Sequence, residues 1–208
     1  MREKKQHKNP GAENAVKTLR APRGSAIIAR MEKFYLGSEK LLLDSFKLAR
    51  MVWDSGWRPD VMLALWRGGT PVGVAVHEFF QYAGWRVRHM AVKTASYTGI
   101  GARQEARLEF AREALGAIAD TDNVLVVDDV LDSGGTMRAV LDSLNAGNRA
   151  GGARSAVLYW KPSAGQYGVT PDYHVGILEK WIVFPHELEG LTRGEVAVKS
   201  PEIAGLLP

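Results

Sequence analysis

Three apolar runs stand out along the chain and predict buried strands. "VMLALW" (61–66), "NVLVVDD" (123–129) and "RSAVLYW" (154–160) are almost continuously apolar rather than alternating. Runs of this kind are typical of parallel strands that are covered on both faces. "WRVRHMAV" (85–92) alternates between apolar and polar residues, which also predicts a strand.

Helical periodicity occupies the segments between these runs. Apolar residues recur at helical spacing from 71 to 84, from 103 to 119 and, over a shorter stretch, from 136 to 144. A further helix, capped by Ser38 and ending at Gly56, would place four apolar side chains on one face: Leu42, Phe46, Ala49 and Trp53. Strands that alternate with helices across short links predict an α/β fold with a mostly parallel sheet and helices on both faces.

Composition and charge separate the chain into two parts. Its 208 residues are 46% hydrophobic, which suffices for one α/β domain with a substantial core. The formal charge is +4, but residues 1–25 carry seven Lys or Arg against two Glu, so the remainder is close to −1. We therefore expect a basic, disordered N-terminal extension at 1–30 and a folded domain at 31–208. The extension could be an arm that binds nucleic acid, although its composition favours a solvated tail.

Other features of the composition narrow the class of protein. No apolar run approaches the roughly 18 residues that a membrane-spanning helix needs, so we expect no membrane partner and a cytoplasmic location. The chain has no cysteine, which excludes disulfides and thiolate chemistry.

Two loops follow predicted strands and contain residues suited to binding anions. Ligands of parallel sheets bind at the carboxyl ends of the strands. In the loop that follows the predicted strand 61–66, Gly68 and Gly69 allow backbone amides to approach a ligand closely, and Arg67 adds a positive charge. These three residues indicate an anion site, although a plain glycine-rich turn would have the same sequence.

The second loop, in "VLVVDDVLDSGGTM" (124–137), combines acids with a phosphate-binding pattern. Its small residues open directly onto a predicted helix and form a backbone nest for a phosphate: Ser133, Gly134, Gly135 and Thr136. Asp128 and Asp129 would repel a phosphate, but they can accept hydrogen bonds from vicinal hydroxyls. A ligand such as ribose 5-phosphate carries both groups. The loop does not match the nucleoside-triphosphate pattern, and "GIGARQ" (99–104) does not match the dinucleotide pattern.

This stretch resembles the phosphoribosyl-pyrophosphate motif of the type I phosphoribosyltransferases. "WRGGTPVG" (66–73) is similar to the family's pyrophosphate loop, and "ASYTGIGAR" (95–103) falls where the family has a mobile lid. "WKPSAG" (160–165) and "KWIVFPHE" (180–187) are similar to the base pocket of the branch that uses 6-oxopurines. The resemblance covers roughly residues 35–190. It implies a single type I phosphoribosyltransferase fold, a mostly parallel sheet with a small base-binding hood.

The resemblance also implies how the phosphoribosyl group is held. Asp128 and Asp129 would bind the ribose hydroxyls, with Mg²⁺ bridging those hydroxyls and the pyrophosphate. The loop from Ser133 to Thr136 would hold the 5′-phosphate. Arg67, Gly68 and Gly69 would bind the pyrophosphate, and the Trp66–Arg67 peptide bond is expected to be cis.

A second set of residues would bind the base, again as the resemblance implies. Asp132 would act near N7 of the purine as general base or acceptor, or else serve only as a helix N-cap. Lys161 would donate to the 6-oxo group and so reject adenine, unless it is a solvated lysine at the end of a strand. Trp181 would stack on the base, or only pack, and the carbonyl of Ile182 would contact its 2-position. Ser96 and Tyr97 would belong to the lid.

The function implied is transfer of the 5-phosphoribosyl group from phosphoribosyl pyrophosphate to a 6-oxopurine: hypoxanthine, guanine or xanthine. The expected partners are these two substrates and a second copy of the chain, as a homodimer or homotetramer. Two alternatives stay open. One is a regulatory protein that senses phosphoribosyl pyrophosphate and binds nucleic acid; the other is a pyrimidine phosphoribosyltransferase. His186 departs from the family pattern, which often has Trp there, and this leaves the choice of base open.

Overall fold

The computed structural model describes residues 32–93, 116–145 and 152–208. These ranges include both glycine-rich loops and the expected base-binding residues. The expected lid residues Ser96 and Tyr97, most of the periodic segment 103–119 and the basic extension at 1–30 lie outside the described residues.

Seven strands lie within the described residues, and five of them form the central sheet. In chain order they are β1 (Lys33–Tyr35), β2 (Val61–Trp66), β3 (Arg88–Lys93), β4 (Val124–Leu131), β5 (Ala153–Trp160), β6 (Tyr173–Ile177) and β7 (Trp181–Val183). The sheet has the order β3-β2-β4-β5-β6, and every pair is parallel. The prediction of a mostly parallel sheet is confirmed. Strands β1 and β7 pair separately in a two-stranded sheet that contains Trp181 and Ile182.

Two strand boundaries differ from the prediction. Strand β4 continues to Leu131, so Asp128 and Asp129 lie inside it rather than at its end. The apolar pairs on either side of the acids explain this, since Val130 and Leu131 extend the ladder with Tyr159 and Trp160 of β5. Strand β3 begins at Arg88, three residues later than expected.

Five α-helices are present in the described part of the chain. They are α1 (Ser38–Asp54), α2 (Gly69–Tyr82), α3 (Gly135–Asn145), α4 (Arg193–Lys199) and α5 (Pro201–Leu206). Ser38 is the first residue of α1 rather than its cap, because Gly37 occupies the N-cap position without a side-chain hydrogen bond. Helix α4 was not predicted, although Thr192 and Glu195 form a capping box there that is visible in the sequence. None of the described helices is long and apolar enough to cross a membrane.

The central strands are buried on both faces, as their continuous apolar runs predict. Leu125 and Val127 of β4 point into a core that includes residues of α1 and α2. Val124 and Val126 point into a second core with α3. Helices therefore cover both faces of the sheet, and its edge at the carboxyl ends of the strands stays available for loops.

Candidate functional site

Strands β2 and β4 are neighbours in the sheet, which brings the two glycine-rich loops to the same edge. Ala64 pairs with Val127, so the loop at 67–69 begins beside the acids of β4. A cavity of about 340 Å³ lies between them. It is lined by residues of both strand ends and of the segment 186–189. Sequence reasoning predicted the first two contributors; of the third, it placed only residues up to 187 in the site, through the resemblance of "KWIVFPHE" (180–187) to a base pocket.

Gly68 and Gly69 are required because the loop passes very close to β4. A Cβ atom on Gly68 would lie 2.1 Å from Oδ2 of Asp129, and one on Gly69 would lie 2.4 Å from the carbonyl oxygen of Val127. Gly68 has a φ of −62°, so space rather than backbone conformation excludes larger residues there. The Trp66–Arg67 peptide bond is cis, as the resemblance implied.

Asp128 and Asp129 form a tight pair of carboxylates. The amide of Asp129 donates to Oδ1 of Asp128 at 3.0 Å. Although part of the Asp128 side chain remains accessible, burial raises its pKa well above the ordinary range, and the charge of Asp129 adds to this effect. Burial and then the charge of Glu187 raise the pKa of Asp129 to about 7. The two carboxylates are therefore stabilised by a bound proton, by a hydroxyl group that donates a hydrogen bond, or by a positive charge.

The segment 184–189 forms the wall facing these acids. Nε2 of His186 lies 3.7 Å from Oδ2 of Asp129, and its ring stacks on Phe184. Burial, with the charges of Lys199 and Arg67, lowers the pKa of His186 and favours the neutral ring. Glu189 lies at the rim of the cavity, where its carboxylate pairs with Arg67. The acidic residues of this segment follow the "WIVFP" motif directly, but only the fold shows that they reach the cavity.

The small-residue loop combines a left-handed glycine with the start of a helix. Gly134 has a φ of +88°, a conformation that favours glycine. Gly135 begins the 11-residue helix α3, so the backbone amides of the loop lie at a helix N-terminus. A Cβ atom on Gly135 would lie 3.0 Å from the ring of Tyr167. Thr136 and Asp128 both line the cavity, and the backbone carbonyl of Ser133 accepts a hydrogen bond from the amide of Gln166.

Asp132, Lys161 and Trp181 meet at the end of β4 although they are far apart in sequence. Nζ of Lys161 donates to Oδ2 of Asp132 at 2.9 Å and lies 5.4 Å from the centre of the Trp181 ring. Lys161 is buried, so the interpretation of it as a solvated lysine is wrong. Helix α3 begins three residues after Asp132, which removes the N-cap interpretation. Ile182 is buried in the core, and its backbone is in register with Phe34 of β1.

The acids of this site suit a hard divalent cation. Mg²⁺ prefers carboxylate oxygens, retains several waters and typically uses one or two protein carboxylates together with a phosphate of the substrate. Asp128 and Asp129 are such a pair, and their raised pKa values mean that a bound cation would relieve an electrostatic cost. Within the described ranges, no group of three or more His, Cys, Asp or Glu side chains could hold a metal ion by itself.

Fold and site together define an α/β protein with two glycine-rich loops and a pair of acids at the carboxyl edge of a parallel sheet. The family described as the phosphoribosyl transferase domain matches residues 35–190. The chain belongs to this family, and its fold is that of the type I phosphoribosyltransferases. No curated protein sequence matches the chain.

Solved structures agree with this assignment. The chain is 26% identical to the purine phosphoribosyltransferase from Pyrococcus horikoshii Ot3, with a TM-score of 0.59; the match covers 78% of this chain and 98% of that one. The Helicobacter pylori xanthine-guanine-hypoxanthine phosphoribosyltransferase is 23% identical, with a TM-score of 0.58 and coverage of 83% and 99%. A Neisseria gonorrhoeae protein with bound ppGpp is 24% identical, with a TM-score of 0.60 and coverage of 83% and 98%. The last two show the fold alone.

Proposed function

We propose that the protein transfers the 5-phosphoribosyl group from phosphoribosyl pyrophosphate to a 6-oxopurine, releasing pyrophosphate and forming the nucleoside 5′-monophosphate. The observation that carries this proposal is the meeting of Asp132, Lys161 and Trp181 beside the phosphate loop. The three side chains offer an acceptor, a donor and an aromatic surface. A 6-oxopurine presents a donor or protonation site at N7, an acceptor at the 6-oxo group and a flat ring.

The phosphoribosyl part of the substrate would occupy the cavity and the neighbouring loop. Asp128 and Asp129 accept from the ribose hydroxyls, while the amides of Ser133 to Thr136 hold the 5′-phosphate. Arg67 and the amides of Gly68 and Gly69 hold the pyrophosphate. Mg²⁺, when bound, neutralises charge on the pyrophosphate and favours its departure.

Asp132 and Lys161 would then act on the base. In the free protein Lys161 is engaged by Asp132, and it lies over the Trp181 ring. The 6-oxo group of an incoming base would accept from Lys161, while Asp132 accepts the proton near N7. Lys161 carries only donors, so the exocyclic amine of adenine finds no acceptor and adenine should be a poor substrate.

Two alternatives lead to different results. A regulatory protein that senses phosphoribosyl pyrophosphate would bind it without turnover and would need its basic segment 1–30 to bind nucleic acid. A pyrimidine phosphoribosyltransferase would use uracil or orotate. Lys161 buried against Asp132 favours an enzyme over the sensor, because a sensor needs no base-binding residues.

The test is a mass-spectrometric product assay with phosphoribosyl pyrophosphate, Mg²⁺ and hypoxanthine, guanine, xanthine, adenine, uracil or orotate. We expect a monophosphate from one or more of the first three bases. Asp132→Asn should lower turnover much more than affinity for phosphoribosyl pyrophosphate. Asp142→Asn is the matched control, because Asp142 also pairs with a cation, Arg138, but on the exposed face of α3. Absence of product from every base would contradict the proposal and favour the sensor.

We further propose that the protein forms a homodimer or homotetramer. Helix α1 exposes Leu42 and Leu43 by 52% and 56%, beside a partly exposed Phe46. Exposed apolar groups of this size often mark protein interfaces. Light scattering coupled to size-exclusion chromatography measures the mass directly, and a monomer at all concentrations would contradict this.

A further inference from the structure

Arg67, the expected pyrophosphate ligand, is already engaged by a carboxylate. Its Nη2 atom lies 2.7 Å from Oε2 of Glu189, a residue 122 positions away in the sequence. Both side chains line the cavity. An anion that binds Arg67 through Nη2 therefore competes with Glu189.

The charges that line the cavity make the competition between Glu189 and an anion for Arg67 important for anion binding. Among the described residues that line it, Arg67 is the one Lys or Arg side chain, whereas four are carboxylates: Asp128, Asp129, Glu187 and Glu189. An arginine binds phosphate groups best through two parallel N–H donors. In the observed contact the Glu189 carboxylate takes up one of those positions.

We propose that Glu189 lowers the affinity of the site for pyrophosphate by competing for Arg67. The inference rests on the proposed function, because it assigns pyrophosphate to Arg67. Release of Arg67 from Glu189 accompanies entry of the pyrophosphate group, and return of Glu189 favours its departure as product. Glu189 acts through Arg67 and does not touch the reacting atoms, so it is an affinity-setting residue rather than a catalytic one.

The exposure of the pair limits the size of the effect. The side chains are 66% and 77% exposed, so the pair is well solvated and readily exchanged. Exposed ion pairs of this type contribute little free energy. If the pair must break before an anion binds, the affinity of the site for that anion falls by about two- to fivefold. Glu189→Gln should therefore strengthen pyrophosphate binding by about two- to fivefold.

The experiment is isothermal titration of the full chain with pyrophosphate in the presence of Mg²⁺. Asp54→Asn is a matched control: Arg50 and Asp54 form an exposed pair on α1 at the same distance, 2.7 Å, and the substitution removes the same charge away from the cavity. We expect Asp54→Asn to leave pyrophosphate affinity unchanged. Inhibition of turnover by added pyrophosphate should also become stronger in Glu189→Gln alone.

A double-mutant cycle with Arg67→Gln separates competition for Arg67 from a general charge effect. Backbone amides of the loop and Mg²⁺ remain, so weak binding at millimolar pyrophosphate is still expected. Competition predicts that Glu189→Gln strengthens binding only when Arg67 is present. The inference is overturned if affinity is unchanged or lower in Glu189→Gln, or if it rises equally in both backgrounds.

Failure of the proposed function gives a different result. If the unaltered protein binds neither pyrophosphate nor phosphoribosyl pyrophosphate, the proposed function and this inference fall together. If the unaltered protein binds and Arg67→Gln weakens binding, the site assignment stands, and the result for Glu189→Gln then decides the inference alone.

Discussion

Gly68→Ala tests whether the approach of the loop at 67–69 to β4 is what positions the acids. The added Cβ would lie 2.1, 2.5 and 2.3 Å from Oδ2, Oδ1 and Cγ of Asp129, whereas ordinary contacts are 3.4–4 Å. The atoms in the way belong to the end of a side chain, not to the backbone. We therefore expect the Asp129 carboxylate to move rather than the strand.

The size of the effect can be worked from these distances. Reaching even 3.0 Å requires a displacement of about 1 Å, and a misplacement of that size can lower the rate of an enzyme by about 10²-fold. Overpacking costs about 1–3 kcal/mol of stability, and the lower end applies because the carboxylate can retreat toward the cavity. Gly68→Ala should thus lose most of its kcat/KM for phosphoribosyl pyrophosphate while remaining folded.

Steady-state kinetics and urea unfolding measure both consequences. Gly205→Ala is the control, since nothing lies within 4 Å of its Cβ and it lies in α5. It should keep full activity and change stability little, because Gly205 is the last residue but one of its six-residue helix. Unchanged kcat/KM in Gly68→Ala would refute the idea that the position of Asp129 depends on this glycine.

Three further predictions rest on named contacts. Asp129→Asn should raise the free energy of unfolding at pH 8 by up to about 4 kcal/mol. The pKa of Asp129 is about 7 in the folded protein against an ordinary 3.8, so between these values the native state holds a proton that the unfolded chain releases. The parent protein therefore loses stability as the pH rises from about 4 to 7, and the variant does not. Urea unfolding at pH 5 and pH 8 measures this, and a pH-independent difference would contradict it. Tyr159→Phe removes a 2.7 Å hydrogen bond to the buried Asp44 and should lower the free energy of unfolding by about 1.5–3 kcal/mol, with kcat/KM unchanged. Equal stability in urea unfolding would show that Lys40 and Lys47 are enough to stabilise the Asp44 carboxylate. Trp181→Ala should raise the KM for the base and leave that for phosphoribosyl pyrophosphate unchanged, and an unaltered base KM would mean that Trp181 only packs.

Much of the central fold could be predicted from local patterns. The strand at 61–66 coincides with its apolar run, and α1 and α3 were predicted to within about two residues at each end. Burial of a parallel strand on both faces requires apolar residues at successive positions, so the pattern carries the information directly. The short elements β1, β6 and β7 were not predicted. Strands of three to five residues depend on their pairing partners more than on their own sequence.

The candidate site also has some parts that local sequence predicts and others that it does not. Both glycine-rich loops were identified because each is contiguous in the sequence and follows an apolar run. The partnership of Lys161 with Asp132 spans 29 residues, and that of Arg67 with Glu189 spans 122. No local pattern encodes contacts of this kind. For that reason Glu189 was missed, and Glu187 was given no role although it ends the predicted base-pocket motif.

Residue type and spacing were enough to predict the class of fold, the two glycine-rich loops and the family. These properties belong to short segments, where chain connectivity already sets the geometry. The folded structure was needed to show which side chains share the cavity, what a larger residue at Gly68 or Gly69 would displace, and how strongly burial shifts the pKa of Asp129. Burial, close approach and ion pairing depend on distances across the sheet, and folding alone sets those distances.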